Sequence, residues 1–345
     1  MKALVLEEYN HFNFKDVEKP TIASTEVLVK VAAVGICGSD VHGMDGSTGR
    51  RKPPIIMGHE ASGEIVEVGD AVSNWKEGDR VTFDSTIYQL DDWYSRKGLY
   101  NLSDNRVVLG VSCDDYRKHG AFAEFIAIPQ HILYAIPEKV SYIQAALVEP
   151  AAVALHAVSL GKPEVNDSVL VVGAGIIGLF VVQMLKVSGC KQIIAIDLDS
   201  GRLELARKLG ATHGFSSKEE GLNEKILELT AGRGADQAYE AVGISPTVEL
   251  AINQVRKGGT VTLLGNLSPE ISFPLQSVVT RQIKVQGSCA ISGEYPAVLD
   301  LMGAGKIEVD VLVSAEVPLA EGASWFNRLY HKENGLIKVI LKPGI

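Results

Sequence analysis

Residues 168–197 read SVLVVGAGIIGLFVVQMLKVSGCKQIIAID. The apolar run VLVV leads straight into Gly173-Ala174-Gly175-Ile176-Ile177-Gly178, and a helical stretch follows. This is a G-x-G-x-x-G in the context that gives it meaning, directly after a strand and opening a helix. The first glycine permits the tight turn, the second lets the backbone approach a pyrophosphate, and the third lets helix and strand pack closely. Helix N–H groups and the helix dipole then receive the phosphates. The next strand, QIIAID, ends on Asp197, 19 residues after Gly178, where a carboxylate accepts hydrogen bonds from ribose hydroxyls. It repels a 2′-phosphate and so favours NAD over NADP, while Arg202 nearby keeps the phosphorylated cofactor open.

Outward from this stretch the pattern alternates. RLELARKLG reads as helix, ADQAYEAVG as strand, TVELAINQVRKG as helix and GTVTLLG as strand. Apolar strands interleaved with helices imply a doubly wound parallel sheet covered on both faces. Val242 and Leu264, at the ends of two of these strands, complete the expected cofactor contacts. The first 150 residues differ. EVLVKVAAVGI, ASGEIVEVG and GAFAEFIAIP are rich in β-branched residues and separated by Gly-Asp turns, so they read as an irregular β domain. IQAALVEPAAVALHAVSLG is helical, with Pro150 marking a break or a new helix start. The tail GLIKVILKP reads as a terminal strand. At 345 residues two domains are expected.

A net charge of −9 argues against nucleic-acid or anionic-membrane partners, since no face easily neutralises phosphates. No apolar run approaches the length of a membrane helix. Glu7 and Glu8 interrupt any signal-peptide core, and four cysteines without framework spacing suit a reducing cytoplasm.

The N-terminal half adds GICGSDVHG (35–43) and GHEASGEIVEVG (58–69). Cys37, His59 and Glu60 offer ligand types suited to zinc. Together with V-E-P (148–150) and the nucleotide fingerprint, these motifs resemble the zinc-dependent medium-chain alcohol dehydrogenase family over essentially the whole chain. The resemblance implies an α/β protein. A GroES-like β-rich catalytic domain (1–150 and 292–345) would wrap a Rossmann NAD-binding domain (151–291), with one catalytic zinc in the cleft between them. It makes Cys37 and His59 zinc ligands. For the third ligand it offers both Glu60 and Glu149, because Glu149 stands where polyol dehydrogenases place glutamate and two-cysteine members place cysteine. It puts a relay hydroxyl at Ser39, with His42 passing the proton to solvent. Substrate would be a small alcohol or polyol, and the assembly a homodimer or homotetramer paired through an edge strand such as QIKVQGS (282–288).

Two departures from the family pattern stand out. The excursion TFDSTIYQLDDWYSRKGLYNLSDNRVVL (82–109) keeps the spacing of a four-cysteine structural zinc lobe, C-x2-C-x2-C-x7-C, but carries Gln89, Asp92, Ser95 and Ser103 at the ligand positions. A metal-free lobe is therefore expected, held by burial of Tyr88, Leu90, Trp93, Tyr94, Leu99, Tyr100 and Leu102. Sorbitol-type members also place an arginine shortly after the glycine matching Gly287, whereas Ser288-Cys289-Ala290-Ile291 contains none. The basic run Arg50-Arg51-Lys52 reads either as a solvated loop or as a holder for a phosphorylated polyol.

Overall fold

The computed structural model describes residues 1–344, which fall into two compact units. The first comprises Met1–Glu149, Ile291–Gly305 and the chain from Val309 onward. Its main sheet runs Leu133–Ala135, Arg80–Phe83, Glu60–Val68, Glu26–Gly35, Lys338–Lys342, Val313–Pro318, with Phe125–Pro129 also pairing Glu26–Gly35. The strand Glu26–Gly35 is central because it is apolar over most of its length, and seven of its ten residues are buried. Val29, Ile65, Phe83, Phe122, Ile126 and Phe326 share one core around it.

Register in this sheet assembles the site. Gly35 lies opposite Glu60 on one side and Ile340 on the other. Chain segments near residues 35, 60 and 340 are thereby held side by side, although they are remote in sequence. A short helix, Gly38–Gly43, begins right after the central strand with Cys37 at its N-cap.

The second unit comprises Pro150–Ala290 and Lys306–Glu308. Its six parallel strands lie in the order His213–Ser216, Gln192–Asp197, Ser168–Val172, Ala235–Glu240, Val255–Leu263, Lys284–Gly287. In chain order this is 3-2-1-4-5-6, the doubly wound arrangement whose switch point lies between the first and fourth strands. Pro150 falls in the first turn of the helix Val148–Gly161, where its missing N–H costs nothing. One boundary differs from the sequence expectation: the helix Ser245–Gln254 stops early and Val255 already belongs to the following strand. Val255 pairs with Ala235, and this β pairing overrides the helical periodicity of QVRKG. His213–Ser216 and Lys284–Gly287 are the two edge strands. No helix among the described residues is long and apolar enough to cross a membrane.

Candidate functional site

Cys37, His59 and Glu60 converge in the first unit, with one ligand atom from each lying within 4.8 Å of the others. Atoms held about 2.0–2.3 Å from a common ion have separations of this order. His59 and Glu60 are buried, and Cys37 is half-buried. The histidine is backed by a carboxylate. Its Nδ1 lies 3.5 Å from Asp40 Oδ2, and neither atom has a hydrogen-bond partner. Arg51 holds the other Asp40 oxygen through Nε at 3.1 Å and Nη2 at 2.9 Å. Burial raises the Asp40 pKa, but His59 and Arg51 outweigh it and bring the carboxyl to about 2. For His59 burial acts downward, and the negative groups Asp40 and Cys37 lift its pKa well above the ordinary histidine value. A soft thiolate, a carboxylate and an imidazole whose Nδ1 edge faces the buried Asp40 carboxylate fit a divalent zinc.

Glu60 is not alone. Lys338 from the last strand donates to both of its oxygens, at 2.9 and 2.6 Å, and both side chains are buried. Glu149, at the start of Val148–Gly161, lies outside that three-residue cluster and accepts a hydrogen bond from Ser85 Oγ at 3.3 Å. Burial raises its pKa first. His59 then opposes the rise while Glu60 and Asp84 add to it, leaving the carboxyl at about 7. Both glutamates therefore stand in the electrostatic field of the cluster, and both remain in the proposed ligand set.

Asp84, next to Ser85, is fully buried. It accepts from Tyr100 Oη at 2.9 Å and from the Thr86 N–H at 2.8 Å. Burial lifts its pKa to about 6 against those hydrogen bonds. The folded state therefore keeps a proton between about pH 4 and 6 that the unfolded chain has released, and stability declines as pH rises through that window. A shift of this size corresponds to about 2–3 kcal/mol. Asp84→Asn removes the titrating group, keeps the acceptor for the Thr86 N–H and requires the Tyr100 hydroxyl to accept rather than donate, so it should remove that share of the decline and leave the variant about 1–2 kcal/mol more stable than wild type at pH 8. Urea unfolding of both proteins from pH 4.5 to 8 checks this. Parallel curves would show that Asp84 does not titrate there.

Ser39 is exposed beside the cluster. Its hydroxyl donates to Cys37 Sγ at 3.3 Å and accepts from Arg51 Nη2 at 3.3 Å. His42 lies three residues on in the same short helix, on the same face, half-exposed, with no hydrogen bond to Ser39 among the described residues. The basic run departs from both sequence expectations. Arg51 is buried on Asp40 and Lys52 pairs with Asp114, so only Arg50 is left as an exposed member. A guanidinium already committed to a buried carboxylate has no free donor face for a phosphate.

The lobe also differs from expectation. Leu90, Trp93, Leu99 and Leu102 are exposed, and only Tyr100 of the seven named residues is buried, with Tyr88 stacked on it at 4.3 Å. Burial of aromatics therefore does not hold the segment. Asp92, at the second lost-cysteine position, does much of that work. Its Oδ1 accepts from the N–H groups of Tyr94 (2.9 Å) and Ser95 (3.1 Å), and its Oδ2 from that of Asp104 (3.3 Å). One carboxylate gathers the backbone turns that a metal would otherwise gather. Tyr100 ties the lobe down through Asp84 and through the Gly293 N–H, which donates to its hydroxyl at 2.8 Å.

In the second unit Gly173 takes a φ of +96°, a conformation that favours glycine, and a Cβ there would meet Val242 at 2.6 Å. Gly175 caps the helix Ile176–Val187 with no side-chain cap and open space around it, so the first-turn amides face outward. Ile176 and Ile177 form that first turn, and a Cβ on Gly178 would lie 1.8 Å from the Gly173 carbonyl oxygen. These features suit a pyrophosphate. Asp197 ends its strand with Oδ2 accepting from the Ala174 N–H at 2.6 Å, which fixes the carboxylate against the glycine turn. Arg202 lies in the helix Ser200–Leu209, its backbone N–H capped by Asp199. Sequence reasoning missed Glu240, a buried carboxylate that accepts from the N–H groups of Val242 and Gly243, and whose carbonyl accepts from the Leu264 N–H. It missed Lys338 too, although a lone lysine inside the apolar run LIKVIL was a visible signal.

Residues 177–304 match the family described as "Zinc-binding dehydrogenase", and residues 23–138 match "Alcohol dehydrogenase GroES-like domain". The sorbitol dehydrogenase of Bacillus subtilis (strain 168) is 33% identical over 348 residues, covering 100% of this chain and 98% of that protein. The D-arabitol-phosphate dehydrogenase of Enterococcus avium is 32% identical over 341 residues, covering 97% and 95%. Among solved structures, alcohol dehydrogenase TADH from Thermus sp. ATN1 superposes with a TM-score of 0.92 at 30% identity, covering 99% of each chain.

Proposed function

The chain belongs to the zinc-binding dehydrogenase family, with a GroES-like domain and a Rossmann-type sheet, and on that premise we infer a zinc- and NAD-dependent oxidoreductase that oxidises a polyol or secondary alcohol to a ketose or ketone. The observation that carries the reading is the convergence of Cys37, His59 and Glu60 on one point. Cys37 and His59 would hold the zinc, with Glu60 and Glu149 as the carboxylates offered to it. When bound, zinc supplies Lewis-acid polarisation of a substrate oxygen.

The chain's own groups do the rest. Asp40, held by Arg51, presents a buried negative charge to the Nδ1 edge of the His59 ring. To Ser39, exposed beside Cys37, we assign uptake of the proton from the substrate hydroxyl, and to His42 its passage to water. Gly173, Gly175, Ile176, Ile177, Gly178, Asp197, Arg202, Val242 and Leu264 would hold NAD, which would supply the acceptor for the hydride of the carbinol carbon. Carboxylates in place of a second thiolate make the site harder and more hydrated, which suits a hydroxyl-rich substrate.

A phosphorylated polyol is disfavoured as substrate, because Arg51 is committed to Asp40. A zinc-independent quinone-type reductase is disfavoured by the intact ligand cluster. The test is a panel of free polyols, a polyol phosphate, a vicinal diol and a simple secondary alcohol, followed by NADH absorbance with and without metal stripping. Oxidation of free polyols or the diol that is lost on stripping and restored by zinc is the expected result. Undiminished rates after stripping would overturn the reading.

We further place the enzyme in the cytoplasm as a dimer or tetramer whose copies pair across the open edge of Lys284–Gly287. Exposed Leu275 and Val279 belong to the helix just before it. A monomer in sedimentation equilibrium would remove the assembly.

A further inference from the structure

We propose that Lys338 is a positioning residue that competes with the metal for the same buried anions, holding Glu60 and the Ile36 carbonyl in place and cancelling the charge of the loaded site. The inference rests on the zinc reading above. Lys338 comes from the strand Lys338–Lys342, whose Ile340 lies opposite Gly35, which in turn lies opposite Glu60. Two residues along a strand share a face, so the lysine is delivered to the face that Ile340 presents. All three of its N–H groups find acceptors: Ile36 O at 3.0 Å, Glu60 Oε1 at 2.9 Å and Glu60 Oε2 at 2.6 Å. The side chain is 1% exposed, as is that of Glu60. Among the described residues it is the one cation ion-paired to Glu60.

The carboxylate has little freedom of its own. A Cβ on Gly35 would lie 2.4 Å from Glu60 Oε2, so Glu60 rests directly over that glycine. Gly35 below and Lys338 beside it fix where the carboxylate lies. The charge count then closes. With a dication bound, a Cys37 thiolate, Glu60 and an ionised Glu149 would carry three negative charges against the three positive charges of Lys338 and the ion. Buried charge of this kind is tolerated only when it is compensated. Lys338 thus compensates part of the empty pocket and opposes the dication that enters it.

Competition and simple clamping predict opposite results. If Lys338 were only a clamp, its loss would loosen the pocket and weaken zinc. If it competes, its loss removes a positive charge near the dication and frees a carboxylate, so zinc binds more tightly. A unit charge within several ångströms of a dication, at an effective dielectric near 20, changes affinity by more than about tenfold.

The experiment starts from zinc-loaded protein and follows transfer to a chromogenic chelator, so a variant unstable without metal still yields a value. Lys338→Met and Lys338→Gln should hold zinc at least about tenfold more tightly than wild type, with a larger rise in thermal midpoint on adding zinc. Lys338→Arg keeps the charge and should stay within about threefold of wild type in zinc affinity. Equal or weaker zinc in the neutral variants would overturn the proposal, as would equal tightening in Lys338→Arg. A wild type that holds no zinc would remove the metal reading and this inference with it.

Discussion

Cys37→Ala should lower kcat/KM for polyol oxidation by at least about 10³-fold and leave the purified chain without stoichiometric zinc, while NAD binding stays unchanged. Cys37 is the one thiol in the cluster, and His59 and a Glu60 already shared with Lys338 would remain. Those two donors form a poor site for a borderline-soft ion. A further consequence is one zinc per wild-type chain and none in the variant, because the lobe offers only Gln89, Asp92, Ser95 and Ser103 where a second site would be. Metal analysis and calorimetric titration with NAD measure both halves. Activity within tenfold of wild type would show that the reaction does not depend on the cluster.

The second large effect is expected at the other end of the reaction. Gly178→Ala places a methyl 1.8 Å from the Gly173 carbonyl oxygen and 3.5 Å from Val171 Cγ1. Backbone cannot yield as a side-chain tip does, so the helix Ile176–Val187 has to move off its strand. Overpacking of this kind costs about 2–4 kcal/mol, and it deforms the turn that receives the pyrophosphate. NAD affinity should fall by at least about 100-fold. Gly175→Ala is the control for folding, since a Cβ there meets nothing within 4 Å. Its thermal midpoint should match wild type, while its methyl stands where the phosphates approach and weakens NAD alone. Equal NAD affinity in Gly178→Ala and wild type would contradict the assignment of this turn.

Much of this was legible in the sequence because it rests on local pattern. VLVVGAGIIG joins strand, turn and helix within ten residues, and the structure builds those elements at Ser168–Val172 and Ile176–Val187. GICGSD and GHE are short enough to be seen as donor sets, and the sheet brings them together. What was not legible depends on distant partners. Arg51 reads as one more surface base until Asp40 is seen beneath it. Trp93 and Leu90 read as core until the lobe is seen to leave them outside. Asp92 reads as a failed ligand, because nothing local reveals that its oxygens collect three N–H groups. The strand starting at Val255 was hidden because its pairing with Ala235 lies twenty residues back.

The 278 residues separating Lys338 from Glu60 set an order of assembly. Asp92 reaches its farthest partner, Asp104, across only 12 residues, so the lobe's turns can form from neighbouring chain, early and without an ion. The pocket near Cys37 is complete only after the closing strand has found the centre of the sheet, a contact of high loop-closure cost. The donors Cys37, His59 and Glu60 come from neighbouring chain joined by one strand pair, so they can meet before the closing strand docks, and Lys338 is the last group to reach them.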